Sequence, residues 1–301
     1  MLRLGLDIGG TKIEANVIDE NGECVFKHRI PTPTENYDEF ILAVTSLVTQ
    51  VRETVNAEFT IGIGLPGAIS PDTDLIKNSN CLILNGNDLR SDLNKALFQP
   101  VYIANDADCF TLSEAMDGAG QNGNTVFGVI LGTGCGGGLV VNKQLVSGPN
   151  AITGEWGHNS LPGYNPFTDG NAGTCYCERS NCIEQFVSGT GFAKRYNDIG
   201  LSAPEIIEAA QYGNATAIAH YKHFIDALAR SLAAVINVID PHTIVFGGGM
   251  SNVESIYYDL NEAIVPYVFS DTFNTQLRSA RHGDASGVRG AAWLPALAEN
   301  K

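Results

Sequence analysis

The sequence predicts an α/β protein whose two similar halves close over a central cleft. Two apolar segments, residues 4–8 and residues 128–131, each run into a glycine-rich turn, and a second apolar segment follows each turn. This order is typical of a strand, a tight turn and a second strand. Each half also contains a long amphipathic helix pattern. The repetition predicts a duplicated fold with a smaller domain at residues 1–118 and a larger one at residues 119–301.

Composition and charge exclude several classes of protein. The 301 residues, 44% of them hydrophobic, suffice for about two domains that bury cores without disulfide bonds. A net charge of −15 opposes binding to nucleic acid or to an anionic membrane, since both recruit clustered Lys and Arg. The uncharged stretch at residues 126–141 is too short for a membrane helix and holds six glycines. With no secretory signal at the start, we expect a cytoplasmic protein.

The first half is expected to form a sheet that one helix covers. Residues 36–56 place apolar side chains at three- and four-residue intervals behind Asn36, a candidate N-cap. Two further apolar segments, residues 59–65 and 101–104, predict buried strands. Gly67 lies in the turn after the first, and Asn105 and Asp106 follow the second. Because ligands of open α/β sheets lie at the carboxyl ends of the strands, we expect these turns to face the cleft.

The second half repeats this plan. Apolar residues at helical spacing predict a helix over residues 224–239, which Pro241 ends, and a strand follows at residues 243–246. A C-terminal helix at about residues 286–299 is expected to pack back on the first domain.

Glycine-rich turns predict that the cleft binds phosphate. Glycine lets the backbone approach a phosphate closely, and successive N–H groups form an anion-binding nest without net positive charge. The first turn adds a hydroxyl, an ammonium group and a carboxylate suited to a magnesium shell. Its candidate residues are Asp7, Gly9, Gly10, Thr11 and Lys12.

Two more turns belong to the same prediction. The second consists of Gly132, Thr133 and Gly134, and the third of Gly247, Gly248 and Gly249. A single glycine-rich turn is often only a tight turn, but a pair at strand ends favours phosphate binding. The sequence has neither a Walker motif nor a Gly-x-Gly-x-x-Gly spacing after the first strand, so another nucleotide-binding scaffold is expected.

Cysteines and one histidine cluster in the segment GHNSLPGYNPFTDGNAGTCYCERSNC, residues 157–182. The cluster comprises His158, Cys175, Cys177 and Cys182, which matches a closed tetrahedral zinc set of structural type. A dithiol redox site fits less well because the spacing is Cys-Tyr-Cys, and a loop of untethered cysteines is the remaining alternative. The other cysteines, which are expected to be buried small hydrophobes, are Cys24, Cys81, Cys109 and Cys135.

Together these motifs resemble the ROK family of bacterial sugar kinases. The resemblance lies in LGLDIGGTKIEANVID, IGLPGAI, ANDADC, LGTGCGGGLVVN, GEWGHN, the Cys-x-Cys cluster and VFGGGMS, and it extends to the terminal SGVRGAAWL. It implies an actin-like (ribonuclease H-like) fold of two α/β domains around a cleft that binds ATP with Mg²⁺. Thr11 and Thr133 would donate to phosphate oxygens, and the adenosine end would lie towards residues 247–249.

The resemblance also implies the roles of individual residues. Asp106 matches the general base that accepts the proton of the sugar hydroxyl. His158 would bind zinc with one ring nitrogen and offer the other to the sugar, which makes the loop at residues 155–184 a wall of the sugar pocket. The full set of implied sugar-binding positions is Gly67, Asn105, Asp106, Glu155, His158 and Glu184.

The sugar itself is predicted from finer similarity. The segments RIPTPTENY, EWGHNSLP and HGDASGVRGAAWL look most like the manno(fructo)kinase type, which implies phosphorylation of fructose, and less readily of mannose or glucose, at the 6-hydroxyl. The alternatives are a glucokinase, an N-acetylhexosamine kinase, a non-catalytic sugar-binding protein and a sugar-sensing regulator. Such regulators carry a helix-turn-helix before the first strand, where only three residues stand here. A homodimer is compatible with this class of protein.

One departure from the family pattern concerns the cysteine turn. The family usually places glycine at two positions where this chain has Glu178 and Asn181. Asn tolerates a left-handed backbone, whereas Glu does so poorly. We therefore expect the turn between Cys177 and Cys182 to differ, with consequences for the placement of Glu184.

Overall fold

The computed structural model describes residues 1–196 and 200–299, which form two five-stranded sheets, a two-stranded ribbon and nine α-helices. The strands are β1 (Leu2–Ile8), β2 (Lys12–Ile18), β3 (Cys24–Pro31), β4 (Phe59–Leu65), β5 (Ala68–Ile69), β6 (Ile76–Lys77), β7 (Val101–Asn105), β8 (Thr125–Leu131), β9 (Cys135–Val141), β10 (Gln144–Leu145), β11 (Thr243–Gly247) and β12 (Gln276–Ser279). The helices are α1 (Tyr37–Val55), α2 (Leu89–Leu97), α3 (Asp106–Met116), α4 (Glu184–Val187), α5 (Gly189–Arg195), α6 (Ala203–Gln211), α7 (Ala215–Ile239), α8 (Glu254–Ala263) and α9 (Ser286–Glu299).

The two large sheets share one topology. The first has the order β3-β2-β1-β4-β7 and the second the order β10-β9-β8-β11-β12. In each, the first two pairings are antiparallel and the last two are parallel. The prediction of a duplicated α/β fold is therefore confirmed.

The parallel pairing places the carboxyl ends of neighbouring strands side by side at one edge of each sheet. Asp7 on β1 lies beside Gly64 on β4, and Gly64 lies beside Ala104 on β7. In the second sheet, Gly247 on β11 lies beside Ile130 on β8. The turns that follow these strands consequently leave each sheet at one edge.

Helix α1 forms where the apolar spacing predicts it. The Asn36 side chain accepts hydrogen bonds from the backbone N–H groups of Asp38 and Glu39, at 2.8 and 3.2 Å, and so caps the first turn. The buried face of the helix packs on the first sheet, and its members are Phe40, Val44, Leu47, Val48 and Val51.

Helix α7 is longer than predicted. It begins at Ala215 rather than near residue 224, because Asn214 accepts a hydrogen bond from the Ala217 N–H at 3.0 Å and provides an earlier N-cap. Its end at Ile239 agrees with the predicted stop, and Asp240 there has a left-handed backbone with φ 48°.

Helix α9 packs closely on α3 and on the first sheet. A side chain at Gly62 would overlap the Ala291 carbonyl, and one at Gly290 would overlap the Cys109 carbonyl, so these contacts are backbone to backbone. The buried Glu114 of α3 also accepts hydrogen bonds from the Ser286 hydroxyl at 2.8 Å and from the His282 N–H at 3.0 Å. The segment before α9 is thereby anchored to α3. The division of the chain at residue 118 stays a prediction.

Membrane insertion of a helix requires both length and a continuous apolar surface. Within residues 1–196 and 200–299, no helix combines the two.

Candidate active site

Polar residues gather at the carboxyl ends of the parallel strands β1, β4 and β7. The Asn105 side chain donates to the Gly67 carbonyl at 3.0 Å, and its Oδ1 accepts from the Ala107 N–H at 2.9 Å. Asn105 thus caps α3 and fixes the loop that contains Gly67. Asp106 is the first residue of α3, and its side chain is exposed. The predicted positions Gly67, Asn105 and Asp106 therefore lie together.

Asp106 and Asp7 form one acidic centre. Burial, and then the charge of Asp106, raise the pKa of Asp7 to about 6, and Lys12 opposes the rise. Burial and the charge of Glu155 raise the pKa of Asp106, while a hydrogen bond from the Ala107 N–H opposes that rise. The Asp106 side chain is open to the cleft although protein surrounds it on most sides. Carboxylates whose charged forms are destabilised by burial and by a neighbouring carboxylate favour a proton or a bound cation.

The first glycine turn presents an open backbone to the cleft. The Gly9 N–H donates to the Lys12 carbonyl at 2.9 Å, which closes the turn. A side chain added at Gly10 would meet no atom within 4 Å, and both Thr11 and Lys12 are exposed. Backbone at Gly10, a hydroxyl and an ammonium group therefore border space that a phosphate can enter.

The second and third glycine turns lie against each other. Gly248 has φ 80°, and a side chain there would lie 2.9 Å from the Gly132 nitrogen. Gly132 and Gly249 both face open space, and Thr133 is exposed. Gly247 differs from its neighbours because it is buried against the Phe110 ring. The structure therefore brings most of the predicted phosphate-binding glycines to an accessible edge, whereas Gly247 serves packing.

The four predicted metal ligands converge. Their donor atoms all lie within 4.8 Å of one another. The sulfurs of Cys177 and Cys182 are 3.5 Å apart, and the Cys175 sulfur lies 3.7 Å from His158 Nδ1. A tetrahedral zinc with Zn–S bonds of about 2.3 Å separates its thiolates by roughly 3.8 Å, so this donor set fits zinc. The three cysteines are free thiols, which leaves their sulfurs available for such a site.

The cysteine turn keeps a geometry that usually needs glycine. Glu178 and Asn181 have φ values of 67° and 61°, both in the left-handed region. The Cys175 N–H donates to the Arg179 carbonyl at 2.8 Å and the Glu178 N–H donates to the Cys175 carbonyl at 2.8 Å, which closes the turn. Glu178 thus takes the strained conformation, at a cost of about 1–2 kcal/mol, and the ligands still meet.

The metal loop is tied to the second glycine turn. Glu184, which starts α4, accepts a hydrogen bond from the Cys135 N–H at 2.9 Å. A side chain at Gly134 would lie 2.6 Å from the same carboxylate and would displace it. Glu155 and His158 lie at the two ends of a short 3-10 turn, and Glu155 Oε2 is 3.8 Å from His158 Nε2. The loop therefore carries three of the predicted sugar-binding residues towards the cleft.

Two residues in this region were not predicted. Tyr176 donates to or accepts from His158 Nε2 at 2.7 Å, so this ring nitrogen is already hydrogen-bonded. Asp108 lines a cavity of about 440 Å³ together with Gly67, Asn105 and Glu155, and its buried Oδ1 has no hydrogen-bond partner among the described residues. Burial, and then the charges of Asp106 and Glu155, raise the pKa of Asp108 to about 7. The only sequence signals were a second aspartate in ANDAD and a tyrosine between two ligands.

Comparisons with known proteins extend over almost the whole chain. The model of the ROK family matches residues 3–297. An N-acetyl-D-glucosamine kinase of Yersinia enterocolitica (serotype O:8 / biotype 1B) is 40% identical over 300 residues, which cover 96% of this chain and 98% of that protein.

Solved structures support the fold and the cleft. The ROK hexokinase of Thermus thermophilus superposes with a TM-score of 0.88 at 26% identity, with 100% of both chains covered. A ROK family glucokinase of Streptomyces griseus, solved in complex with glucose and AMPPNP, superposes with a TM-score of 0.73 at 25% identity over 97% of this chain and 98% of that one. The expected actin-like architecture of ROK sugar kinases is thus confirmed, and this chain belongs to the ROK family.

Proposed function

We propose that this protein is an ATP-dependent sugar kinase that transfers the γ-phosphoryl group to the 6-hydroxyl of an N-acetylated hexosamine, with N-acetyl-D-glucosamine as the first candidate. One observation supports the kinase assignment: the charge of Asp106 acts on Asp7, at the end of β1 before the first glycine turn, and the charge of Glu155, beside the metal ligand His158, acts on Asp106. A phosphate cradle, a base and a ring of hydroxyl-binding groups are the parts that phosphoryl transfer to a sugar needs.

The proposed substrate is an N-acetylated hexosamine instead of the fructose that the sequence analysis predicted. The relative described above, at 40% identity over nearly the full length, is named an N-acetyl-D-glucosamine kinase rather than a fructokinase. Full-length similarity of this degree supports the N-acetylhexosamine alternative more strongly than three short segments support the manno(fructo)kinase type. A glucokinase activity is the second candidate, because one superposed structure is a ROK glucokinase with glucose bound.

Asp106 acts in this proposal as the general base. Its carboxylate accepts the proton of the sugar hydroxyl as that oxygen approaches the γ-phosphorus. Its raised pKa makes it a better base than an ordinary aspartate, provided the pH keeps it ionised. Asn105 caps α3 and so sets the direction in which Asp106 points. Positioning of the two reactants contributes more than basicity in such a transfer.

The glycine turns hold the nucleotide phosphates through backbone N–H groups. Thr11 and Thr133 add hydroxyl donors, and Lys12 adds the one cation of the first turn. Lys12 thus contributes a single positive charge, in a chain whose net charge is −15. Mg²⁺ bound with ATP would supply the remaining charge compensation, with Asp7 as the candidate carboxylate for its shell.

Zinc has a structural role in the proposal. His158, Cys175, Cys177 and Cys182 would fill all four tetrahedral positions and leave none open for catalysis. A bound zinc orders a loop rich in Gly, Asn and Pro. The same four residues then hold Glu155 and Glu184 against the cleft.

An ADP-release assay tests the proposal. The purified protein receives Mg-ATP and, separately, N-acetyl-D-glucosamine, N-acetyl-D-mannosamine, glucose, mannose or fructose. Sugar-dependent ADP release, with the highest kcat/KM for an N-acetylated hexosamine, is expected. Highest kcat/KM with glucose or with fructose would refute the sugar assignment but keep the kinase. No sugar-dependent release with any of the five would refute both.

A further inference from the structure

The Tyr176 hydroxyl is hydrogen-bonded to Nε2 of His158, whereas the other ring nitrogen, Nδ1, lies near the cysteines. The hydroxyl oxygen lies 2.7 Å from Nε2, and the two rings meet edge to face with centroids 4.9 Å apart. On the opposite side of the imidazole, Nδ1 is 3.7 Å from the Cys175 sulfur. The two ring nitrogens therefore have separate partners, a hydroxyl and a metal-binding thiol.

A neutral imidazole has a single N–H, so His158 cannot donate to Tyr176 and to a sugar hydroxyl at the same time. When Nδ1 serves as the metal ligand, the ring is neutral and its single N–H is on Nε2. With a metal on Nδ1, that N–H would donate to the Tyr176 oxygen, which lies 2.7 Å away. One N–H makes one good hydrogen bond, so a sugar hydroxyl that accepts from His158 must first replace the tyrosine.

The side chain of Tyr176 has room to leave. It is 79% exposed although its backbone lies between Cys175 and Cys177. Within the part of the chain that the structure describes, its hydroxyl has no other hydrogen-bond partner. Rotation of the side chain into solvent would remove the tyrosine oxygen from Nε2, which would then face the Glu155 carboxylate 3.8 Å away.

We propose that Tyr176 is a displaceable gate of the sugar pocket. In the sugar-free protein, the Tyr176 hydroxyl makes the hydrogen bond to His158 Nε2 that a sugar hydroxyl would otherwise make. When a sugar binds, its hydroxyl displaces the Tyr176 hydroxyl from Nε2. A ligand with no acceptor at that position cannot displace it, so Tyr176 favours sugars that do have one. This inference rests on the proposed function because it requires a sugar at His158. Tyr176 is accordingly a positioning residue and not a catalytic one.

The Tyr176→Phe substitution tests the gate. It keeps the ring and removes the competing oxygen, so sugar should bind more tightly. A net hydrogen bond of ordinary strength corresponds to an affinity increase of about two- to tenfold. Isothermal titration calorimetry with N-acetyl-D-glucosamine measures it directly, without turnover. In steady-state kinetics the sugar KM should fall by a similar factor, while kcat and the KM for ATP stay unchanged.

Tyr212→Phe is the matched control. Tyr212 is 84% exposed and follows α6, away from the cluster, so this substitution should change neither affinity nor KM. Unchanged or weaker binding in Tyr176→Phe would overturn the gate, since weaker binding would make Tyr176 a direct sugar contact. Loss of zinc in Tyr176→Phe, measured by elemental analysis, would also overturn it, because the hydroxyl would then serve the metal loop.

The failure of the gate is distinguishable from the failure of the proposed function. A wild-type protein that binds and phosphorylates an N-acetylated hexosamine, with no tighter binding in Tyr176→Phe, refutes only the gate. A wild-type protein that neither binds nor phosphorylates any of the tested sugars refutes the proposed function, and the gate with it.

Discussion

The Glu184 carboxylate accepts a hydrogen bond from the backbone N–H of Cys135 at 2.9 Å. This bond joins the metal loop to the start of β9, directly after the second glycine turn. Glu184 follows the last metal ligand, Cys182, by only two residues. A metal that orders the loop would therefore also fix the position of Glu184 at the edge of the cleft. The proposed sugar pocket and the proposed phosphate cradle therefore share a wall.

Substitution of Glu184 should separate its two roles. Glu184→Gln keeps an acceptor for the Cys135 N–H, whereas Glu184→Ala leaves that N–H without a partner and should lower the free energy of unfolding by about 1–3 kcal/mol. Both variants should raise the sugar KM. Chemical denaturation and steady-state kinetics measure the two effects, with the exposed Glu53→Ala on α1 as a control. Equal loss of stability in the Gln and Ala variants would argue against this bond.

Removal of the proposed base should abolish most turnover. Asp106→Asn keeps the shape of the side chain but cannot accept the proton, so kcat should fall by about 10²–10⁴-fold. Calorimetry should still detect sugar binding, and the zinc content should equal that of the wild type. The surface substitution Asp271→Asn serves as the control. A loss of less than about tenfold would exclude Asp106 as the base.

Asp108, which is half-buried with a buried Oδ1, should make stability depend on pH. Its pKa of about 7 lies above the ordinary value of 3.8. Between these values the folded protein binds a proton that the unfolded chain has released, so stability falls as the pH rises through this window. Asp108→Asn should therefore stabilise the protein more at about pH 8 than at about pH 4, by at most about 4 kcal/mol.

Denaturation at the two pH values measures the Asp108 effect. Asp72→Asn, at an exposed turn, provides the matched control and should show no such difference. The same change in stability at both pH values would contradict the raised pKa.

Loss of one metal ligand should lower the zinc content of the protein and destabilise the metal loop. Cys182 is buried, and Cys182→Ser removes one of the four donors while leaving the others in place. We expect the purified variant to contain much less zinc, to unfold at a lower temperature and to bind sugar poorly. Elemental analysis and calorimetry check these results. The prediction that Cys24 is buried was wrong, because this cysteine is exposed on β3, so Cys24→Ser should keep the zinc. Full zinc content in Cys182→Ser would rule out the proposed ligand set.

Local patterns were sufficient to predict several of the elements and the metal cluster. The alternation of apolar segments with glycine turns predicted the central strands of both sheets but not β3, β10 or β12, and the spacing behind Asn36 predicted α1, because these features depend on neighbouring residues. The cluster of His158 and three cysteines was predictable because thiols and imidazole in one loop have few other uses. The early start of α7 was missed because a cap at Asn214 outweighs the weak apolar pattern there.

Long-range contacts account for what the sequence did not predict. Asp108 becomes unusual only because residues from distant segments bury it. The contact between Tyr176 and His158 depends on a turn in which Glu178 takes a left-handed backbone, and propensity alone opposes that conformation. Gly247 looks like its neighbours in sequence, yet the Phe110 ring buries it. Only the packed chain distinguishes these cases.

A competition experiment tests the central claim most directly. One sample of the protein receives Mg-ATP with equal concentrations of N-acetyl-D-glucosamine and fructose, and mass spectrometry of the early products measures the ratio of their phosphates. That ratio equals the ratio of the two kcat/KM values. We predict that N-acetyl-D-glucosamine 6-phosphate predominates, and that Asp106→Asn forms almost none. A predominance of fructose phosphate, or the absence of both products, would contradict the account.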